Sequence, residues 1–287
     1  MSMSLLEANQ EDFPVLSGPY LGQDPPDETP ELFAPGIVST CVQHSSIYFS
    51  QNGKQAVFSR MLPQPSVIMY MREEGGRWTR PQVVAEGLTP FITAEGRRIV
   101  FSTWSLWVMD KTKQGWSTPR KLNDVVNFQK RQDTPSVTAA GTLYFCSMYG
   151  DQDGIYRARL IDGEYREREK LEYGISSEHT DGYPFIAADE SFLIFGSFRP
   201  GSRGMSDLYV SFQRRDGSWT KPRNLGSRIN SEAKDGYPFV TVDGRYLFFM
   251  SSRISPLNSR RIPDGPGNVY WVKADFLERM RKQELGE

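Results

Sequence analysis

Three arginines and a few carboxylates carry what chemistry this sequence offers. Asp181 and Asp235 each open the pentapeptide Asp-Gly-Tyr-Pro-Phe, at 181–185 and 235–239, and Glu178 precedes the first copy. Two carboxylates facing one pocket form the acid/base pair of glycoside cleavage, so these three are the catalytic candidates. Asp-Gly is also a turn former whose carboxylate bonds backbone amides, and that structural reading stands beside the catalytic one. Arg60, Arg199 and Arg253 each follow an apolar run that ends in Phe and Ser. A guanidinium there could hold a carboxylate or phosphate through paired hydrogen bonds. Equally, Arg199 could pair with Asp181 or Asp235 and simply fasten neighbouring segments.

The remaining chemical signals are thinner. Only two histidines occur, His44 and His179, which excludes a His-rich metal site, and no nucleophile with a His base is evident. No metal and no cofactor is therefore expected. Asp151-Gln-Asp153-Gly154 looks like a piece of a calcium loop but lacks the distal Glu, and Asp153 aligns with Asp207 and Asn268 as a turn residue. Cys41 and Cys146 are too few for a disulfide framework.

What must position these residues is a repeat. A turn residue followed by an apolar strand ending in Phe and Ser recurs at 52–60, 95–103, 140–147, 189–197 and 243–251. The Phe column is Phe58, Phe101, Phe145, Phe195 and Phe249, with spacings of 43, 44, 50 and 54. Upstream of the turn lie Pro90, Pro135, Pro184 and Pro238, marking a first strand; Ile47 is the exception. Downstream come Leu106-Trp107, Ile155-Tyr156, Leu208-Tyr209 and Val269-Tyr270 as a third strand, and Trp78, Trp116 and Trp219, each in Trp-x-x-Pro, as a fourth. Four short strands per unit, joined by Gly, Asp and Asn turns, make a propeller blade. The expected fold is therefore all-β, a five-bladed β-propeller with a six-bladed ring as the alternative.

The fifth unit lacks its fourth strand. PELFAPGIVS at 30–39 matches PRNLGSRINS at 222–231 at Pro, Ile and Ser, so the N-terminus is expected to supply the outer strand of the last blade. Sewing the ends together removes the edge that a cut ring would expose. The sequence thus divides into an acidic, Pro-dotted extension at 1–26, a single propeller at 27–277, and a short C-terminal helix or tail at 278–287. The extension is expected to be extended, either lying on the body or solvated. Helical spacing of Phe276, Leu277 and Met280 after an Asp275 cap suggests that the helix packs on the rim.

At residues 206–253 the sequence resembles the WD40-like repeat of the TolB-type β-propellers, whose blades read Pro-Phe, Asp-Gly, Tyr-Phe-Ser, Asp-Ile-Tyr, Trp and Pro-x-x-Leu in order. The resemblance spans roughly residues 28–277. It implies a propeller used mainly as a binding scaffold, often periplasmic or attached to envelope proteins; the partners of TolB itself do not carry over, since that propeller has six blades.

In such a ring the links between blades and the loops between second and third strands share one face. His44, Asp133, His179, Asp181 and Asp235 end the links, while Arg60, Trp104, Arg199 and Arg253 end the second strands. The expected binding residues around that mouth are thus Arg60, Trp104, Asp133, His179, Asp181, Arg199, Asp235 and Arg253. The expected function is a non-catalytic scaffold that binds a protein segment, peptide or glycan there, with a glycan-directed hydrolase or lyase as the alternative. A net charge of −1 gives no field for polyanions, which argues against nucleic acid. No apolar run is long enough to span a membrane. A monomer is expected, cytoplasmic as written, or periplasmic or secreted if a leader was removed.

Overall fold

Short runs of β-branched and aromatic residues punctuated by Gly, Asp and Asn turns form strands that pair with strands near them in the chain, except at the seam where the two ends meet. In the computed structural model they build five antiparallel sheets around an axis. Residues 13–40, 43–61, 65–257 and 267–286 are described; Cys41 and the His44 side chain lie outside these.

Blade 1 comprises Gln43–His44 with Tyr48–Phe49, then Gln55–Met61, Val67–Glu74 and Gln82–Glu86. Blade 2 comprises Leu88–Ile92, Arg98–Ser102, Leu106–Thr112 and Arg120–Lys121. Blade 3 comprises Gln132–Val137, Leu143–Ser147, Gly154–Ile161 and Glu164–Lys170. Blade 4 comprises Asp181–Ile186, Phe192–Ser197, Asp207–Phe212 and Arg223–Asn224. Blade 5 comprises Asp235–Val240, Tyr246–Ser251 and Asn268–Lys273. The Phe column lies at the centre of the packing: Phe58, Phe101, Phe145, Phe195 and Phe249 are all buried.

The fourth strand of blade 5 comes from the other end of the chain. Glu31–Leu32 pairs antiparallel with the third strand, Glu31 opposite Trp271 and Leu32 opposite Tyr270. The pairing extends through Phe33 N–H to the Val269 carbonyl and Lys273 N–H to the Asp27 carbonyl. The described part of the extension, from residue 13 on, lies on the body. Trp78 donates its backbone N–H to Leu16 and its indole Nε1–H to Gly18, and Tyr20 inserts among Phe49, Tyr246, Phe248 and Trp271. Burial, then the nearby Asp243 charge, pushes the Tyr20 phenol up to about 12. The seam between blades 5 and 1 is thus closed twice, by a strand and by an aromatic wedge.

Each inner strand of blades 2 to 5 breaks its ladder in the same place. Thr89, Thr134, Tyr183 and Tyr237, each just before a proline, take φ of 46°, 48°, 56° and 53°, and the register shifts across them. Proline has no N–H to give the ladder, and a bulge absorbs that loss while redirecting the preceding side chain. In blades 4 and 5 the redirected tyrosines meet, with ring centroids 4.3 Å apart.

The C-terminal helix runs Asp275–Leu285, so it begins before residue 278. Its N-cap is Ala274, with no side-chain cap; Asp275 falls in the first turn, where a negative charge complements the helix dipole. Leu277 is buried, Phe276, Met280 and Leu285 pack against the core, and Arg223 of blade 4 bonds Gln283 and Glu284. Among the described residues, no helix is long and apolar enough to cross a membrane.

Candidate functional site

Blades 4 and 5 close their ends of the link face with the same device. Asp181 Oδ2 accepts the N–H and hydroxyl of Ser177, each at 2.6 Å, and its Oδ1 accepts Arg199 Nη2 at 2.7 Å. Asp235 Oδ2 accepts the N–H and hydroxyl of Ser231 at 2.6 and 2.9 Å, and its Oδ1 accepts Arg253 Nη2 at 3.1 Å. Each arginine also bonds the serine two residues before it and a link carbonyl, Ile175 for Arg199 and Ile229 for Arg253. Its guanidinium rests 4.9 Å from the ring centroid of the third-strand tyrosine, Tyr209 or Tyr270. Both aspartate side chains have 0% exposure. A carboxylate so enclosed fixes its link to its blade, and it reaches no solvent-borne substrate while these bonds hold.

Glu178 is exposed and lies 3.7 Å from His179, whose own N–H bonds Ser177. Arg60 donates Nη2 to the Ile37 carbonyl, the link position equivalent to Ile175 and Ile229. Its Nε is buried without a partner among the described residues, and burial holds its pKa below the ordinary value. Asp153 and Asp207 cap their own loops through Tyr149 and Gly150, and through Arg203 and Gly204. Among the described residues, no group of His, Cys, Asp and Glu is placed to hold a metal ion.

Blades 2 and 3 are built differently at the same positions. Two residues after the terminal serine of the second strand, where blades 4 and 5 carry Arg199 and Arg253, stand Trp104 and Tyr149. Both take positive φ, 73° and 63°, and their side chains turn outward, with 60% and 71% of each residue exposed. Between them sits Arg131, which the sequence reading did not select; its guanidinium carbon is 5.8 Å from the Trp104 ring centroid and 5.3 Å from that of Tyr149. Behind it Asp133, buried, accepts Arg131 Nη2 at 2.8 Å and is itself held by the Thr89 hydroxyl at 2.6 Å and the Thr134 N–H. Burial works against the Arg131 charge, but the field and hydrogen bond of Asp133 outweigh it and leave the pKa above its ordinary value.

Asp133 and Trp104, both expected at the mouth, are thus brought together through a third residue. The contrast between Ser-x-Arg in blades 4 and 5 and Ser-x-aromatic in blades 2 and 3 was the sequence signal for it.

The floor beside Arg131 is the Tyr183–Tyr237 pair, packed with Met250, Met61 and Phe198. The opposite mouth holds a concavity that sequence reasoning did not foresee: an apolar cavity of about 320 Å³ lined by Phe91, Ile92, Val137, Phe185, Phe239 and Val240. Its rings come from inner strands, which converge only once the propeller closes. Cys146, beside Asp133, is buried, and burial pushes its thiol up to about 12, so it is no nucleophile at neutral pH.

No protein-family model matches the sequence, and no curated protein matches it. Solved structures share its fold at low identity. A gluconolactonase from Xanthomonas campestris superposes with a TM-score of 0.56 at 14% identity, covering 90% of this chain and 96% of that one. A putative TolB from Agrobacterium tumefaciens gives 0.53 at 15% identity, covering 81% and 90%. TolB from Acinetobacter baumannii gives 0.52 at 14% identity, covering 81% of this chain but only 57% of that one. The chain therefore spans little more than half of the latter protein. At such identities the likeness shows the fold alone: this chain is a five-bladed β-propeller whose structural neighbours include TolB proteins.

Proposed function

We propose that this propeller is a non-catalytic scaffold that recognises a protein segment with its link face, centred on Trp104, Arg131 and Tyr149. The observation that carries this reading is the pair of outward-turned aromatic rings over a half-buried arginine. Tryptophan, tyrosine and arginine dominate the energetics of protein recognition, and these two rings take a strained left-handed backbone conformation while staying mostly exposed. The loops between second and third strands in blades 4 and 5 add exposed Met205 and Ile254. Aliphatic side chains suit peptide side chains better than sugar hydroxyls, which favours a protein segment over a glycan. The hydrolase reading has less support, because its carboxylates Asp181 and Asp235 are enclosed in ion pairs.

Peptide and glycan arrays probed with the labelled chain and with a Trp104→Ala/Tyr149→Ala double variant test this reading. Peptide binding that falls at least about tenfold in the double variant is expected, since such anchors cost 2 kcal/mol or more when truncated. Binding unaffected by the double substitution, or confined to glycans, would contradict it.

A further inference from the structure

We infer that the link-face mouth contains a carboxylate seat, formed by Arg131 with the phenols of Tyr183 and Tyr237, that takes an acidic side chain or the C-terminal carboxylate of the bound peptide. The inference rests on the reading of this face as a protein-recognition surface and names what that surface selects.

Arg131 is held so that one part of it stays available. Its Nε and Nη2 bond a single oxygen of Asp133, Oδ2, and Trp104 and Tyr149 flank the guanidinium. Among the described residues it donates to no other acceptor, so the Nη1 edge is open in the guanidinium plane. A planar fork with ring neighbours is matched by an acceptor that is itself planar and anionic. Asp133 is buried, so an incoming group meets the cation and not the anion behind it.

The floor supplies donors and a second positive charge. The Tyr183 and Tyr237 phenols bond no described residue, and burial, the largest influence on each, keeps both protonated well past neutral pH. Arg131 acts electrostatically on both rings, and Lys234 Nζ lies 5.7 Å from the Tyr183 ring centroid. Next to Arg131 in the chain, Gln132 is fully buried with neither amide atom partnered among the described residues, and the hydroxyl of its strand partner Ser147 is likewise unpartnered. Buried polar atoms without partners are costly, and a bound polar group or the water accompanying it would satisfy them.

The same Gln132 position is occupied by Asp181 and Asp235 in blades 4 and 5, where the register is identical. There an internal carboxylate meets an internal arginine. In blade 3 both members of that pair are replaced, by Gln132 and Tyr149, and the arginine present is Arg131, whose partner Asp133 engages Nε and Nη2 and leaves Nη1 without an acceptor among the described residues.

The test is an array of random decapeptides, each placed beside a counterpart in which its carboxylates are replaced by amides, read with the full chain. Acidic peptides should bind about tenfold more tightly than their amide counterparts, the worth of a hydrogen bond to a charged group. Arg131→Lys and the nearly isosteric Tyr237→Phe should both narrow that ratio, and Tyr237→Phe should do so with thermal unfolding unchanged. Peptides that bind, and are lost with Trp104→Ala, yet ignore the amide replacement would overturn the seat and spare the recognition surface. An acid-to-amide ratio unmoved in both Arg131→Lys and Tyr237→Phe, or a preference for phosphopeptides or polygalacturonate, would overturn it too. No binding to any peptide would overturn seat and surface together.

Discussion

Blades 4 and 5 and blades 2 and 3 put different residues into one structural position, two after the serine that ends the second strand. In blades 4 and 5 it is an arginine turned inward, bonded to a serine, a carbonyl and a buried aspartate. In blades 2 and 3 it is an aromatic turned outward on a left-handed backbone. The repeat is the same and the polar accounting at this position differs: in blades 4 and 5 the arginine and aspartate satisfy each other, whereas blade 3 presents its ring and leaves the Gln132 amide and the Ser147 hydroxyl unmatched among the described residues. Charged residues in a mouth therefore say little about binding until their partners are known. Here the carboxylates that looked most like chemistry are fasteners, and the least expected residue, Arg131, has an open edge.

The largest expected effect lies on the closed side, at the seam. Removal of residues 1–40 takes away the Glu31–Leu32 strand, Phe33 and the Tyr20 wedge, and should give aggregates or no cooperative unfolding. Removal of residues 1–18 leaves the strand and Tyr20 but loses the Trp78 bonds to Leu16 and Gly18, and should lower the melting temperature by a few degrees. Calorimetry of the two truncations reads this, and equal melting temperatures would show that the seam closes by other means.

Next in size is the fastener itself. Asp235→Ala strands Arg253 among Ile229, Ser251 and Tyr270, and should cost about 3–5 kcal/mol in urea unfolding, the penalty for breaking a buried pair from one side. Asp181→Ala should behave alike. A cost below about 1 kcal/mol would place both pairs with ordinary surface bridges and erase the contrast.

The smallest effect sharpens the comparison by transplanting it. Gln132→Asp with Tyr149→Arg recreates in blade 3 the residues that blade 4 carries as Asp181 and Arg199. Phe128 stands where Ser177 and Ser231 would complete the device, so the gain in stability should stay under about 1 kcal/mol, while peptide binding is lost. Retained binding in that variant would remove Tyr149 from the recognition surface.

The ring was legible because propeller repeats are local. The Phe column, the turn residues and the copy of 222–231 at 30–39 all report strand order, and the structure pairs Leu32 with Tyr270 as that copy requires. The Asp-Arg proximity was legible as one of two readings, since Arg199 and Asp181 belong to one blade. What escaped was set by three-dimensional closure. The outward flip at Trp104 and Tyr149 depends on backbone φ, the Tyr20 wedge on packing across the seam, and the apolar cavity on inner-strand rings such as Phe91 and Phe239 meeting from separate blades. The Asp275 cap failed for a simpler reason: helix boundaries shift by a residue or two, and Ala274, directly after the strand that ends at Lys273, holds the N-cap position.

The central claim is that one position is structural in blade 5 and free for recognition in blade 2, and urea unfolding of Arg253→Ala beside Trp104→Gly tests it most directly. Arg253→Ala leaves Asp235 buried without its cation and should lose about 3 kcal/mol or more. Trp104→Gly removes an exposed ring and relieves a strained φ, so it should unfold within about 0.5 kcal/mol of the unaltered protein. A loss of several kcal/mol in Trp104→Gly would mean that the ring supports the fold, and the account of an open recognition surface on blades 2 and 3 would be wrong.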